Sequence, residues 1–321
     1  MARPRQVSAS PSADGVESFV RNGDIEIATY SYGDPNAETV VLVHGWPDSH
    51  HLWSSVIPLL AEDYHVVAYD TRGIGRTTDP RRTARFSVAE LATDLFAVID
   101  AVSPGRPVHL VGHDWGSMQS WEAVCEPGAE KRIASFTSIS GVNLDAVGQW
   151  ARQSLRHPSR ATLGPGLGQL GAAYYTFLFQ VPGLPRVLLA PLRSERRWTY
   201  FLRRTEGTLP GQVHLGESFR ADMLRGIRIY RANILQKLFR PRSRTTKVPT
   251  LLIINTGDIA VRPHSYGDYP TWTDRLWRMD LDAGHWLPYS RPEAVADAVR
   301  ELIGAVSGDE SIAMRRARFT L

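Results

Sequence analysis

Residues 107–116 of this 321-residue chain read PVHLVGHDWG, and this stretch decides the fold. Its apolar run, Val108 to Val111, predicts a short buried strand, and the apolar residues that follow Ser117 recur at helical spacing. Between strand and helix lies Gly112-His113-Asp114-Trp115-Gly116, which predicts a sharp turn whose two glycines allow close approach of neighbouring backbone. The pattern therefore places the carboxylate of Asp114 at the apex of a strand-turn-helix unit.

An aspartate at this apex predicts a particular kind of chemistry. The related turn Gly-x-Ser-x-Gly presents a serine that attacks carbonyl groups. A carboxylate is better suited to displacement at a saturated carbon, which gives an alkyl ester that water then hydrolyses. Epoxides and alkyl halides are suitable substrates for this displacement, since both have an electrophilic sp³ carbon and a leaving group. On the pentapeptide alone, an ordinary turn with Asp114 as the N-cap of a helix stays equally open.

The composition limits the class of protein. Hydrophobic residues make up 43% of the chain and charged residues 22%, which is typical of a soluble globular protein. No apolar run approaches the roughly 18 residues of a membrane span. A single cysteine, Cys125, excludes an intramolecular disulfide and is compatible with the cytoplasm, where we expect the protein.

The net charge of +4 comes almost wholly from arginine. There is no zinc-ligand spacing and no RNA-binding signature, so arginines spread over the surface are favoured over nucleic-acid binding. No metal site is indicated, because the pair His50-His51 lacks partner ligands at suitable spacing.

Strand and helix signals alternate along most of the chain, which predicts an α/β fold with a mostly parallel sheet. A capping box at Ser87 and Glu90 predicts a helix that runs to about Val102, and a last helix is expected from about Pro292. We predict an edge strand at Ile25–Tyr32 and further strands at residues 39–43, 65–69, 107–111, 133–140, 250–255 and 276–280.

Residues 143–247 interrupt this alternation with apolar residues at helical spacing, many arginines and the turn Val181-Pro182-Gly183. We interpret them as a helical cap inserted into a core formed by residues 17–142 and 248–306. Residues 1–16 lack the apolar segment of a signal peptide and are expected to be a disordered lead. Residues 307–321 are expected to be a polar tail outside the core.

Two further polar residues directly follow predicted strands. Asp258 comes after the strand at 250–255, and His285 comes after the strand at 276–280. Because ligand crevices of open α/β sheets form at the carboxyl ends of the strands, we expect both side chains near Asp114. The chain order of nucleophile, acid and histidine is that of the α/β-hydrolases.

With these motifs the chain resembles the epoxide hydrolases of the α/β-hydrolase fold, over about residues 25 to 305. Residues 44–53 and 230–233 are similar to the hydrolase half of actinobacterial proteins that also carry a short-chain dehydrogenase. This chain stops where that second domain would begin, so we expect no nicotinamide chemistry and no cofactor. The resemblance implies an eight-stranded, mostly parallel sheet with an inserted helical lid. It rests on His44-Gly45-Trp46-Pro47, the loop from Asp70 to Arg76, the Asp114 turn, Gly257-Asp258 and Gly284-His285-Trp286.

The resemblance also implies a role for each site residue. Asp114 attacks the less hindered epoxide carbon, and His285, oriented by Asp258, activates the water that hydrolyses the ester. The backbone N–H groups of Trp46 and Trp115 form the oxyanion hole.

Two tyrosines of the cap complete the implied site. Tyr175 and Tyr230 donate protons to the epoxide oxygen, and the adjacent Tyr174 stays open as the first donor. The implied activity is of the EC 3.3.2 type, with a hydrophobic epoxide and water as reactants; a homodimer stays open. A haloalkane dehalogenase, disfavoured by Trp46, and a non-hydrolytic binding or cyclising scaffold are the alternatives.

Overall fold

The computed structural model describes residues 15–157, 174–266 and 271–319. Eight strands form one sheet in the order β1-β2-β4-β3-β5-β6-β7-β8. The pairs β1–β2 and β2–β4 are antiparallel. All other neighbouring pairs are parallel, namely β4–β3, β3–β5, β5–β6, β6–β7 and β7–β8. The predicted fold class is confirmed. The strands are β1 Val16–Asn22, β2 Ile25–Tyr32, β3 Thr39–Val43, β4 His65–Tyr69, β5 Val108–His113, β6 Ile133–Ile139, β7 Thr250–Asn255 and β8 Leu276–Leu281.

Helices cover the sheet, and β3, β4, β5 and β7 are buried along their whole length, as expected of parallel strands. The predicted cap of α2 is present, since the Glu90 N–H donates to Ser87 Oγ at 3.3 Å. The α-helices of the described residues are α1 Ile57–Leu60, α2 Val88–Val102, α3 Trp115–Val124, α4 Leu144–Arg156, α5 Tyr174–Leu178, α6 Leu184–Leu188, α7 Glu195–Thr205, α8 Phe219–Arg225, α9 Ile227–Phe239, α10 Leu287–Ser290, α11 Pro292–Ser307 and α12 Ile312–Ala317. Short 3₁₀ helices lie at His50–Trp53, Thr83–Phe86, Ala129–Lys131 and Pro263–Tyr266.

Helices α4 to α9 all lie between β6 and β7, in the segment interpreted as a cap; we call residues 143–247 the helical region. One buried ion cluster joins this region to the core. Lys237 Nζ lies 2.8 Å from Glu122 of α3 and 2.9 Å from Asp145 of α4. Asn233 of α9 also connects the helical region to the core. Its buried side-chain amide accepts the Val88 N–H at 2.8 Å and donates to the Phe86 carbonyl at 2.9 Å. The division into core and cap stays an interpretation.

Two expectations near the start of the chain need correction. Ile25–Tyr32 is not an edge strand, because every residue of β1 pairs with it and β1 forms the edge of the sheet. That outer strand was missed since its side chains are mostly exposed and its sequence, VESFVRN, lacks a clean apolar alternation. Residues 1–14 of the predicted lead lie outside the described residues, but Val16 already belongs to β1.

The predicted polar tail is also partly wrong. From Ser311 the chain forms helix α12, in which Met314 is fully buried. The Phe319 N–H then donates to the Leu276 carbonyl at 2.8 Å, which fastens the tail along β8. A single buried methionine among arginines gives too short an apolar pattern for this packing to be predicted.

Candidate active site

The turn around Asp114 has the geometry that the sequence predicted. Strand β5 ends at His113, helix α3 begins at Trp115, and Asp114 between them has φ 50° and ψ −121°. A Cβ at Gly116 would lie 2.1 Å from the Val43 carbonyl oxygen, and one at Gly112 would lie 2.7 Å from the Ser117 Cα. Glycine is therefore required on both sides, and Asp114 occupies a strained backbone conformation at the apex.

The two carboxylate oxygens of Asp114 have different surroundings. Oδ2 accepts the Trp46 N–H at 2.8 Å, and the Trp115 N–H helps to lower the pKa of the carboxylate. Oδ1 lies 3.8 Å from His285 Nε2. Burial raises the pKa of Asp114 to about 6, although the charge of His285 and the two N–H groups act in the opposite direction. Gly45 leaves room for this oxygen, because a Cβ at that position would lie 2.5 Å from Oδ2.

The histidine and the second aspartate form a tight pair. His285 Nδ1 lies 3.0 and 2.9 Å from the two carboxylate oxygens of Asp258. The backbone N–H groups of Ala260 and Val261 donate to Asp258 Oδ1 at 2.7 and 2.8 Å and fix its orientation. Burial lowers the pKa of His285, but the negative charges of Asp258 and then Asp114 outweigh it and raise that pKa to about 9. At neutral pH, His285 is therefore an imidazolium between two carboxylates.

Aromatic side chains of the helical region face the same site. Tyr175 and Tyr230 have ring centroids 6.0 Å apart, and the Tyr230 ring meets Trp46 and Trp115 edge to face at 5.5 and 4.8 Å. Burial raises the pKa of both tyrosines, and the charge of Asp114 raises each further. Tyr174, in contrast, is 61% exposed. The structure thus brings Tyr175 and Tyr230, and not Tyr174, to Asp114.

Two acidic residues near His285 were not predicted. Asp48 is buried and accepts hydrogen bonds from Trp286 Nε1 and the Tyr289 hydroxyl, both at 2.9 Å; its burial raises its pKa to about 7. Glu206, at the end of α7, accepts the Trp286 N–H at 3.0 Å. A Cβ at Gly284 would lie only 2.2 Å from the Glu206 carboxylate, so this glycine makes room for it.

No spacing rule connects these acids to the histidine, because 238 residues separate Asp48 from Trp286 and 80 residues separate Glu206 from it. The only sequence signal was the position of Asp48 directly after His44-Gly45-Trp46-Pro47.

Other residues of the quoted motifs hold the scaffold of the site. His44 Nδ1 donates to the Gly45 carbonyl at 2.8 Å and its Nε2 accepts the Thr71 N–H at 3.0 Å, so both ring nitrogens are engaged in the turn. Arg72 is buried and donates to Asp94 at 2.9 Å and to Glu90 at 2.7 Å, which fixes the loop against α2.

Within residues 15–157, 174–266 and 271–319, no group of three or more His, Cys, Asp or Glu side chains has the arrangement of a metal site. No helix of the same ranges combines the length and the apolar character needed to cross a bilayer.

A comparison with protein families agrees with the fold. The model of the family described as alpha/beta hydrolase fold matches residues 38–292. The chain therefore belongs to the α/β-hydrolase family.

The chain is also similar to individual curated proteins and to solved structures. The chain is 38% identical over 316 residues to the probable oxidoreductase EphD of Mycobacterium tuberculosis, covering 96% of this chain and 53% of that protein. It thus spans about half the length of that relative. It is 26% identical over 325 residues to epoxide hydrolase A of the same species, covering 89% and 97%. A putative epoxide hydrolase structure from Pseudomonas aeruginosa shares the fold, with a TM-score of 0.72, 22% identity and coverage of 94% and 99%.

Proposed function

We propose that the chain is an epoxide hydrolase that converts a hydrophobic epoxide and water into a vicinal diol through an ester on Asp114. One observation carries the proposal. The Asp114 carboxylate has one oxygen held by the Trp46 N–H, while the other faces His285 across 3.8 Å. The names of relatives such as epoxide hydrolase A support the substrate class.

In the first step, Asp114 Oδ1 attacks the less hindered epoxide carbon. The C–O bond breaks, its electron pair stays on the oxygen, and a phenol of Tyr175 or Tyr230 gives that oxygen a proton. The phenolate regains a proton from the His285 imidazolium, so His285 becomes neutral. The aromatic wall of Tyr175, Tyr230 and Trp46 keeps water from competing for the epoxide and favours an apolar substrate.

In the second step, neutral His285 takes a proton from water, and the resulting hydroxide attacks the ester carbonyl. The carbonyl oxygen is the former Oδ2, which already accepts the Trp46 N–H; the Trp115 N–H is the second donor for the oxyanion. Collapse of the tetrahedral intermediate breaks the bond between the carbonyl carbon and the alkyl oxygen. The alkyl oxygen leaves with the proton that the attacking hydroxide carried. The products are the diol, the Asp114 carboxylate and the His285 imidazolium.

An isotope experiment tests the ester. With enzyme in excess over styrene oxide in heavy-oxygen water, one turnover should place the label in the peptide that contains Asp114 and none in the diol. Direct attack of water would place the label in the diol instead. Asp114→Ala should form no diol while its circular dichroism spectrum stays that of the wild type, and full activity in that variant would disprove the nucleophile.

A second experiment tests the tyrosines with a control from the same helix. Tyr175→Phe and Tyr230→Phe should each slow alkylation by about 10²-fold or more, because general acid catalysis is typically worth this much. Tyr174→Phe, at the adjacent exposed position, should leave the rate unchanged. Equal effects at Tyr174 and Tyr175 would contradict the assignment.

A further inference from the structure

A second concave surface lies on the helical region and shares no residue with the site around Asp114. It is a groove of about 940 Å³ that lies between residues 190–194, helix α7 and the start of α8. Its lining contains five arginines and one tyrosine, which together we call the arginine face: Arg193, Arg196, Arg197, Tyr200, Arg203 and Arg220.

The helical region that carries this groove has a strongly positive net charge. Residues 143–247 contain 18 of the 37 basic residues and 5 of the 33 acidic residues, a net charge of +13. The remainder of the chain therefore carries −9, since the whole has +4. Arginines occur in both parts of the chain, but the two parts have net charges of opposite sign.

Some basic residues of the helical region serve the fold. Arg228 pairs with Asp79 of the core, and Lys237 and Arg244 pair with Glu122. The arginine face is different. No ion pair joins its five guanidinium groups to a carboxylate within the described parts of the chain, and Arg193 Nε donates to the Arg220 carbonyl at 3.3 Å. Clustered cations without acidic partners create a positive potential that attracts an anionic partner.

The helix that carries the face is amphipathic. Trp198 and Leu202 of α7 are buried, whereas Tyr200 is 63% exposed between the arginines. Val187 of α6, three residues before the groove residue Ala190, is 70% exposed. Exposed apolar and aromatic side chains beside unpaired arginines are typical of helices that lie on anionic lipid, whereas a nucleic-acid surface needs no exposed valine.

We propose that the arginine face docks the protein on the surface of an anionic lipid bilayer. The arginines contact lipid headgroups, and Tyr200 and Val187 enter the headgroup layer. The proposal is independent of the proposed catalytic function, because none of these residues touches Asp114, Asp258 or His285.

Co-flotation with vesicles tests the proposal. The full chain should bind vesicles of phosphatidylcholine with about one third phosphatidylserine, and binding should weaken as salt is added. The triple variant Arg196→Gln/Arg197→Gln/Arg203→Gln should lose affinity by about 100-fold, since each basic residue near such a surface contributes about fivefold. The matched control is Arg81→Gln/Arg82→Gln/Arg315→Gln, which removes three exposed arginines elsewhere and should change affinity much less.

Three results would overturn the proposal. The first is equal binding to vesicles of phosphatidylcholine alone, and the second is an equal loss in the control triple, which would show a mere effect of net charge. The third is no vesicle binding together with binding of a short single-stranded DNA, if the Arg196→Gln/Arg197→Gln/Arg203→Gln variant loses that DNA binding. The arginine face would then be a nucleic-acid surface. Circular dichroism of both triple variants verifies that they are folded.

Discussion

The ionisation of Asp114 sets the acid limit of alkylation in the proposed mechanism. Only the carboxylate attacks, and burial raises its pKa to about 6. With that pKa, about nine tenths of the molecules carry the carboxylate at pH 7 and about one tenth at pH 5. Alkylation should therefore slow about tenfold between these two pH values. An aspartate of ordinary pKa, 3.8, would lose less than about a tenth of its rate over the same range.

Stopped-flow fluorescence measures this step, because Trp46 and Trp115 lie beside Asp114 and report the arrival of substrate. Enzyme is mixed with excess styrene oxide from pH 4.5 to 8, and the first phase is followed. In His285→Gln the midpoint should move above pH 6, because the cation that lowers the pKa of Asp114 is gone. A first phase that changes less than twofold between pH 7 and pH 5, in protein with an unchanged circular dichroism spectrum, would refute the reasoning.

Three further predictions concern strain, charge and stability. Asp114→Gly should be more stable to urea than Asp114→Ala by about 1–2 kcal/mol, because glycine adopts φ 50° without strain; equal stability would show that the apex is relaxed. Glu206→Gln should lower the pKa of His285, since the negative charge of Glu206 contributes to raising it; NMR titration of the imidazole measures this, with exposed Glu195→Gln as control, and an unchanged pKa would contradict the contact. Lys237→Met should reduce the free energy of unfolding by about 1.5–3 kcal/mol, because it removes the hydrogen bonds of one buried cation to Glu122 and Asp145, which keep Arg244 as a shared partner, whereas exposed Lys131→Met should cost little.

The elements that build the nucleophile turn could be predicted because their signals are local. A run of four residues of which three are apolar, two glycines at fixed spacing and a helix with apolar spacing after them were enough to place Asp114. Asp258 and His285 followed from a rule of topology, since the carboxyl ends of parallel strands meet at one edge of the sheet. The structure adds what no local pattern contains, namely the contact of Oδ2 with the Trp46 N–H and the position of His285 Nε2 opposite Oδ1.

What could not be predicted depends on pairs that are distant in sequence or on side chains without periodicity. Glu206 belongs to the helical region, yet it holds the backbone of the histidine loop in the core. Strand β1 pairs by its backbone while exposing most of its side chains, so hydrophobic periodicity could not reveal it. The grouping of arginines on one face required the three-dimensional packing of α7 against its neighbours.

One ion pair serves both halves of the proposed reaction, because alkylation itself changes the charge of the site. Before the reaction, Asp114 is an anion beside His285, and its charge helps to raise the pKa of His285 to about 9. The imidazolium in turn keeps the nucleophile ionised against the effect of burial. Once Asp114 is an ester its charge is gone, so the pKa of His285 falls and the imidazole can release a proton to the phenolate and then accept one from water. Hydrolysis restores the carboxylate, which stabilises the imidazolium again. Among the groups that raise the pKa of His285, Asp114 is the one whose charge the proposed reaction removes, so the imidazole can act as a base at the step that needs it.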